Sequence, residues 1–445
     1  MVAIGQMRLA ARRAALAGRP ALSSARGTAE VSARGMCSKR GSNRNAREAG
    51  SKNAEKKGRG KQAVFSSTAT DVLGLDASQS ELIYDFKTAE LDALVPEGFG
   101  GDIEEDLDLT DNISLMVREP YLHALEKMTD LESNPEKRTS DMKGMLFAGE
   151  RGIGKSMALN SVLARARASD WLTMYAPDAR EWVTPKGAGT RGTGTGVPIV
   201  PSQLREGFFG QPNGSKAMLQ HLKNIHGQKL KDLPKRLEYN HNAYDGDSTL
   251  MSIVERGLKS AVFASDALYD LRLEFGKVTE FPVLIAIDQV NSLYWPSCFY
   301  NKGKAVSPEN VLFAKTFRCF GEEGEVLPEQ RLERGLIVSA TTAKYGFAVA
   351  PGVIQEHYED TKVKFFAPFD VRGAKVNANA KQNMDLVPVE PFNDNELRNY
   401  VIHLKRHKVL DTTEVLEGNT FQTFKTHSGA VPRSVRNTLL LPYPF

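Results

Sequence analysis

The stretch GMLFAGERGIGKSMALNSVLARA, residues 144–166, decides how the rest of the chain is read. Within it, Gly149, Gly154, Lys155 and Ser156 satisfy G-x-x-x-x-G-K-[S/T] without a mismatch. Small glycines in such a turn let backbone N–H groups point inward and cradle phosphate oxygens, while the lysine reaches the outer phosphates and the serine hydroxyl ligates Mg²⁺. The apolar run GMLFAG before the turn reads as a buried strand. SMALNSVLARARA after it reads as a helix whose N-terminus favours anions. The turn therefore nominates Gly149, Glu150, Arg151, Gly152, Ile153, Gly154, Lys155, Ser156 and Met157 as the nucleotide-contacting segment, with Ser156 also a metal ligand.

Working outward, short apolar runs recur at 171–175, 282–287, 335–340 and 385–389. They are continuous rather than alternating, which indicates strands covered on both faces and hence a parallel α/β sheet. The run VLIAIDQVN places Asp288 at a strand end, where a carboxylate can hold Mg²⁺. Hydrolytic AAA+-type proteins often carry glutamate next, as general base; here the residue is Gln289, which cannot take a proton. Loss of a general base forfeits about 10²–10⁴-fold in rate, so rapid turnover is not expected. Ser339, at the end of GLIVSA, is placed to sense a terminal phosphate, and Arg433, in SGAVPRSVRNTL, to touch phosphate from a C-terminal helix. The fold class expected is thus a P-loop NTPase of AAA+-like type: a parallel sheet flanked by helices, an extended N-terminal arm and a small C-terminal helical lid.

Composition bounds the partners. The 445 residues carry a net charge of +4, yet residues 1–62 alone hold 15 Lys/Arg against Glu30, Glu48 and Glu55, leaving −8 for the remainder. The leader MVAIGQMRLAARRAALAGRPALSSARGTA is Arg-rich, contains serine and lacks acids, the signature of an organelle transit peptide. Residues 38–61 read as a solvated linker. No apolar run is long enough to span a membrane, and Cys37, Cys298 and Cys319 show no C-x-x-C spacing, which argues against a disulfide framework or zinc ribbon. The organisation expected is leader and linker (1–62), N-terminal arm (63–140), nucleotide-binding core (141–345) and final strand with lid (346–445), with an insertion at about 184–245.

Within the arm, residues 116–132 read as an amphipathic helix using Leu122, Leu125 and Met128, and the six acids of 102–111 as a solvated loop. GAGTRG (187–192) matches G-x-G-x-x-G but is followed by Pro198 and Pro201, not a helix. His403 and His407 lie four apart, as metal ligands can, but no third ligand is near in sequence and Lys405, Arg406 and Lys408 surround them. They read as a basic helix face. Trp171, Trp182 and Trp295 read as packing residues, and Asn393 with Glu396 as a helix cap.

Four segments in order, DWLTMYAPDAREWV, FFGQPNGSKAMLQHLKNI, LIAIDQVNSLYW and GLIVSATTA, resemble the death-associated protein three family, which occupies the S29 position of the mitochondrial small ribosomal subunit. The resemblance implies a structural protein of the small-subunit head in the mitochondrial matrix. It would contact rRNA and neighbouring mitoribosomal proteins, contribute bridges to the large subunit, and form no independent homo-oligomer. It also implies guanine nucleotide, GTP or GDP, on Gly149–Ser156 with Mg²⁺ on Asp288. The N-K-x-D tetrapeptide of ordinary GTPases is absent, so base identity rests on the resemblance and ATP stays open. Two other readings are an active mitochondrial AAA+ ATPase that remodels partners, favoured by Ser339 and Arg433, and a nucleotide-switched apoptotic signalling protein.

Overall fold

The computed structural model describes residues 65–99, 103, 113–184, 199–239, 241, 243–244, 248–295, 297–302, 304–342, 376, 378–411 and 413–440. The leader, the acidic run apart from Ile103, and the GAGTRG segment lie outside them. The described residues belong to one compact unit, Phe65–Phe445.

Its centre is a five-stranded sheet. The strands are β1 (Met145–Ala148), β2 (Leu172–Ala176), β3 (Val283–Asp288), β4 (Gly335–Ala340) and β5 (Asp385–Pro388). They run in the order β5-β1-β4-β3-β2, every pairing parallel. The five apolar runs are therefore the five strands, within a residue or two at each end. Side chains alternate between the two faces. Leu146, Met174, Ile285 and Ile337 enter one core cluster, while Phe147, Tyr175, Ala286 and Val338 enter another. Both faces are covered, which is why the runs show no polar alternation. β5 is an edge strand, half-exposed and ending in Pro388, whose missing N–H costs nothing there.

One face is packed by α1 (Glu119–Ser133), α2 (Lys155–Ala168) and an antiparallel ribbon, Ile83–Asp85 with Ser114–Met116. The buried side of α1 is Tyr121, Ala124, Met128 and Leu131; Leu122 and Leu125 flank it, partly buried. Met116 belongs to the ribbon, and the helix starts at Glu119 with proline in its first turn, where its missing donor is harmless. Trp171 is 1% exposed and its indole donates to Glu132 at 2.9 Å.

The other face is packed by α3 (Pro212–Asp232), α4 (Leu250–Lys259) and α5 (Ala264–Phe275). α3 comes from the stretch expected as an insertion, and its Leu219, Leu222 and Leu230 are part of the core beneath the sheet. At a kink in α3 the buried His226 ring accepts the Thr173 amide at 3.0 Å, satisfying a donor on edge strand β2. Burial, with Arg167 and Lys229 nearby, pushes its pKa down to about 3, so the ring is the neutral acceptor this bond requires. Trp182 stacks on Phe313 at 4.2 Å and Trp295 is 9% exposed, so all three tryptophans pack.

After β5 come α6 (Asp394–Arg406), α7 (Gly418–Ser428) and α8 (Pro432–Leu440), with their own small core of Phe392, Leu397, Val401, Phe421, Phe424 and Val435. α6 opens with a full capping box: the Asn393 side chain accepts the Glu396 amide at 2.9 Å, and Glu396 accepts the Asn393 amide at 3.0 Å.

Candidate functional site

Parallel α/β sheets place their sites at the carboxyl ends of the strands. Here that edge carries a cavity of about 450 Å³, within the range that holds small-molecule ligands. One wall is the glycine-rich turn between β1 and α2. Gly149 approaches the Val389 carbonyl beyond β5 so closely that a Cβ would sit 2.6 Å from its oxygen. At Gly152 (φ +78) a Cβ would lie 2.5 Å from the Arg433 Cβ. Only glycine permits both approaches. Gly154, with φ +105, is the N-cap of α2, so the first amides of that helix open toward the cavity.

Lys155 is 6% exposed and donates to the Gly149 and Glu150 carbonyls at 2.9 and 2.6 Å. Burial lowers its pKa to about 8, against the pull of Asp288 and Glu150, leaving it mostly protonated at pH 7. Asp288 ends β3, wholly buried. Its Oδ1 accepts the Gln289 amide at 2.8 Å, while Oδ2 has no hydrogen-bond partner among the described residues. Loss of hydration raises its pKa from 3.8 to about 7; the Ser156 hydroxyl, the Gln289 amide and Lys155 favour the anion, and Asp178 opposes it. A buried carboxylate with an idle oxygen and a serine hydroxyl beside it is the donor set Mg²⁺ takes, oxygen ligands with waters completing the octahedron.

Gln289 is held at φ +58, ψ +38, a left-handed conformation that costs a non-glycine residue about 1–2 kcal/mol. It lines the cavity with its side chain 7% exposed and its Oε1 unpaired among the described residues.

Arg151 to Met157, Asp288 and Arg433 all line this cavity, whereas Gly149 and Glu150, at the start of the turn, do not. Arg433 is anchored by its amide, which donates to the Gly152 carbonyl at 3.1 Å. Ser339 is set apart. It is in register with Leu146 and Ile287, so it points to the opposite face from Asp288, which is level with Ala340. The following Thr341 and Thr342 reach the cavity instead, Thr342 pinned by the Asn291 side chain through bonds of 2.9 and 2.8 Å.

The sequence reading missed Arg118, Arg180 and Arg436, which also line the cavity. With Arg151, Lys155 and Arg433 they make six cationic side chains against Asp178 and Asp288, a field suited to a polyanion. Arg118 is the hinge of the arrangement. Its Nε pairs with Glu396 at 2.8 Å, one terminal nitrogen donates to the Ile153 carbonyl at 3.1 Å, and the other to the Glu390 carbonyl at 2.7 Å. Its contacts span from 35 to 278 residues away and leave no local signal, whereas Arg180 and Arg436 lie inside the quoted segments DWLTMYAPDAREWV and SGAVPRSVRNTL.

The family model for mitochondrial ribosomal death-associated protein 3 matches residues 115–436, from the ribbon through α8. The chain belongs to that family. Among relatives of the death-associated protein 3 family, the small ribosomal subunit protein mS29 of Bos taurus is 24% identical over 243 residues, 53% of this chain and 57% of the relative. That of Mus musculus is 24% identical over 244 residues, 53% of this chain and 58% of the relative. The chain thus spans a little over half the length of the curated relatives it matches.

Proposed function

We propose that this family member is a structural component of the small subunit of the mitochondrial ribosome that grips a purine nucleotide, GTP or GDP, with Mg²⁺, and turns it over slowly or not at all. Membership of a family described as mitochondrial ribosomal, and relatives named as small-subunit proteins, support the location and the particle. Its partners there would be small-subunit rRNA, neighbouring mitoribosomal proteins and the large subunit. Among the described residues no helix is long and apolar enough to cross a membrane.

The observation that carries the nucleotide reading is the idle Asp288 oxygen beside Ser156, at the floor of a cavity lined by six cationic side chains. In this reading 149–156 is a phosphate-binding loop, the α2 N-terminus and Lys155 hold the phosphates, and Ser156 with Asp288 holds Mg²⁺. Ile83 and Met116 of the ribbon and the adjoining Ile113, with Tyr400 and Leu404, supply an apolar wall for the base, and α6–α8 act as the lid. An amide at 289, where a base would stand, favours holding over hydrolysis. Two assays test this. Lys155→Ala is expected to lower GTP and GDP affinity and to abolish the nucleotide-induced rise in melting temperature; retention of both would refute the site. Nucleotide turnover of several per second would refute the static grip.

The second reading, an AAA+ remodelling ATPase, is favoured by Arg433 packed on Gly152 and by the strand order. Co-sedimentation with the small subunit in high salt supports the ribosomal reading, and a free nucleotide-dependent ring the other.

A further inference from the structure

His403 and His407 are not a bare basic face. The fold brings Asp85, more than three hundred residues earlier, against them, and one ligand atom from each of the three lies within 4.8 Å of the others. Asp85 Oδ1 is 3.9 Å from His403 Nδ1 and 3.9 Å from His407 Nε2. We propose that Asp85, His403 and His407 form a site for a divalent transition-metal ion of the zinc class, which ties the N-terminal ribbon to α6 beside the nucleotide cavity.

Several independent features favour a ligand here. His403 is 3% exposed, and its Nδ1 has no hydrogen-bond partner among the described residues although it is buried and aimed at the carboxylate. An unsatisfied buried nitrogen costs free energy that a bound cation would recover. Imidazole nitrogen is the commonest metal ligand that a protein offers.

The spacing is also right. His403 is in the last turn of α6 and His407 is its C-cap, joined by the His407 amide to the His403 carbonyl at 3.1 Å, so the two rings share one face with centroids 4.4 Å apart. Two imidazoles and one carboxylate suit zinc, with water in the fourth tetrahedral position, and do not suit Mg²⁺ or Ca²⁺, which prefer oxygen. For the two Asp85–His pairs a contraction of about half an ångström would reach the separations that bonds of about 2.0–2.2 Å require, and the two imidazole nitrogens, within 4.8 Å of each other, would close onto the same ion by side-chain rotation.

The carboxylate is itself oriented. The Ser114 hydroxyl donates to Oδ1 at 2.7 Å, and Arg406 pairs with Oδ2 at 3.4 Å, fixing its orientation from the outer side as metal-bound carboxylates are fixed.

The test uses the metal-free full chain without nucleotide, titrated with ZnCl₂ and CoCl₂. One equivalent of Zn²⁺ is expected to bind, Co²⁺ to give the intense visible absorption of a tetrahedral site, and Zn²⁺ to protect His407 from diethyl pyrocarbonate. Asp85→Asn and His407→Gln should each weaken binding by more than the ~10–100-fold that loss of an outer partner alone costs. Asp288→Asn should leave it unchanged, which separates this site from the phosphate loop. No saturable binding, an octahedral Co²⁺ spectrum, an unprotected His407, or wild-type affinity in both folded variants would each overturn the proposal. The first three readouts need only wild-type protein, so they decide the matter even if a variant misfolds.

Discussion

Replacing Asp288 with asparagine tests the site through a stability that runs against intuition. In the folded chain burial lifts the Asp288 pKa from 3.8 to about 7, whereas in the unfolded chain the carboxyl titrates at its ordinary value. Between those values the folded state binds the extra proton, so stability falls as pH rises through that window and the loss is complete above it. A rise of that size corresponds to roughly 4 kcal/mol at neutral pH. Asparagine has the same shape and no charge to bury. The Asp288→Asn variant is therefore expected to be more stable than wild type without nucleotide, with an advantage that grows by about 2–3 kcal/mol between pH 5 and pH 8. With Mg²⁺ and GDP at a hundredfold excess over the dissociation constant, wild type should gain about 2.7 kcal/mol and the variant much less. Urea denaturation at several pH values, with and without Mg²⁺–GDP, measures both. A variant less stable than wild type at pH 8 without nucleotide, or an advantage independent of pH, would refute the assignment of Asp288 as a carboxylate kept at a cost for a cation.

Three further outcomes follow from the same geometry. Arg118→Ala should cost about 3–5 kcal/mol by stranding the buried Glu396, and adding Glu396→Gln should restore part of it. In a denaturant double-mutant cycle, strictly additive losses would show that the pair is not coupled. Gly152→Ala should lower both stability and nucleotide affinity, because a Cβ at φ +78 would press on Arg433 at 2.5 Å; unchanged melting and nucleotide titration curves would show that the turn has room. Gln289→Glu should raise single-turnover hydrolysis by up to about 10²–10⁴-fold if a missing base is the limit, and leave it unchanged if water cannot reach the phosphate.

Much of this protein was legible along the chain because the signals are local. Continuous apolar runs marked five strands, since a strand buried on both faces needs no polar side. The spacing of Gly149, Gly154, Lys155 and Ser156 marked the turn, since its geometry depends on neighbours in sequence. Asn393 and Glu396 marked a helix start for the same reason. The chain is silent where a single residue of register decides a side chain's placement. Ser339 and Ala340 are adjacent, yet the two-residue period of a strand puts only the latter level with Asp288. In α1 the apolar spacing marked the helix, and packing decided that Tyr121, Ala124, Met128 and Leu131 are its buried stripe, with Leu122 and Leu125 partly buried beside it.

By itself, then, the sequence determined an α/β sheet, a glycine-rich turn between a strand and a helix, a carboxylate at the end of a strand and an amide beside it. Tertiary structure decided who else is present. It folded Arg118 across to Ile153, Glu390 and Glu396, packed Arg433 onto Gly152, and brought Asp85 to His403 and His407. The division has a physical cause. Strands, turns and caps are set by steric and hydrogen-bonding rules within a few residues, whereas charges and metal ligands act across space on whichever side chains the core brings together.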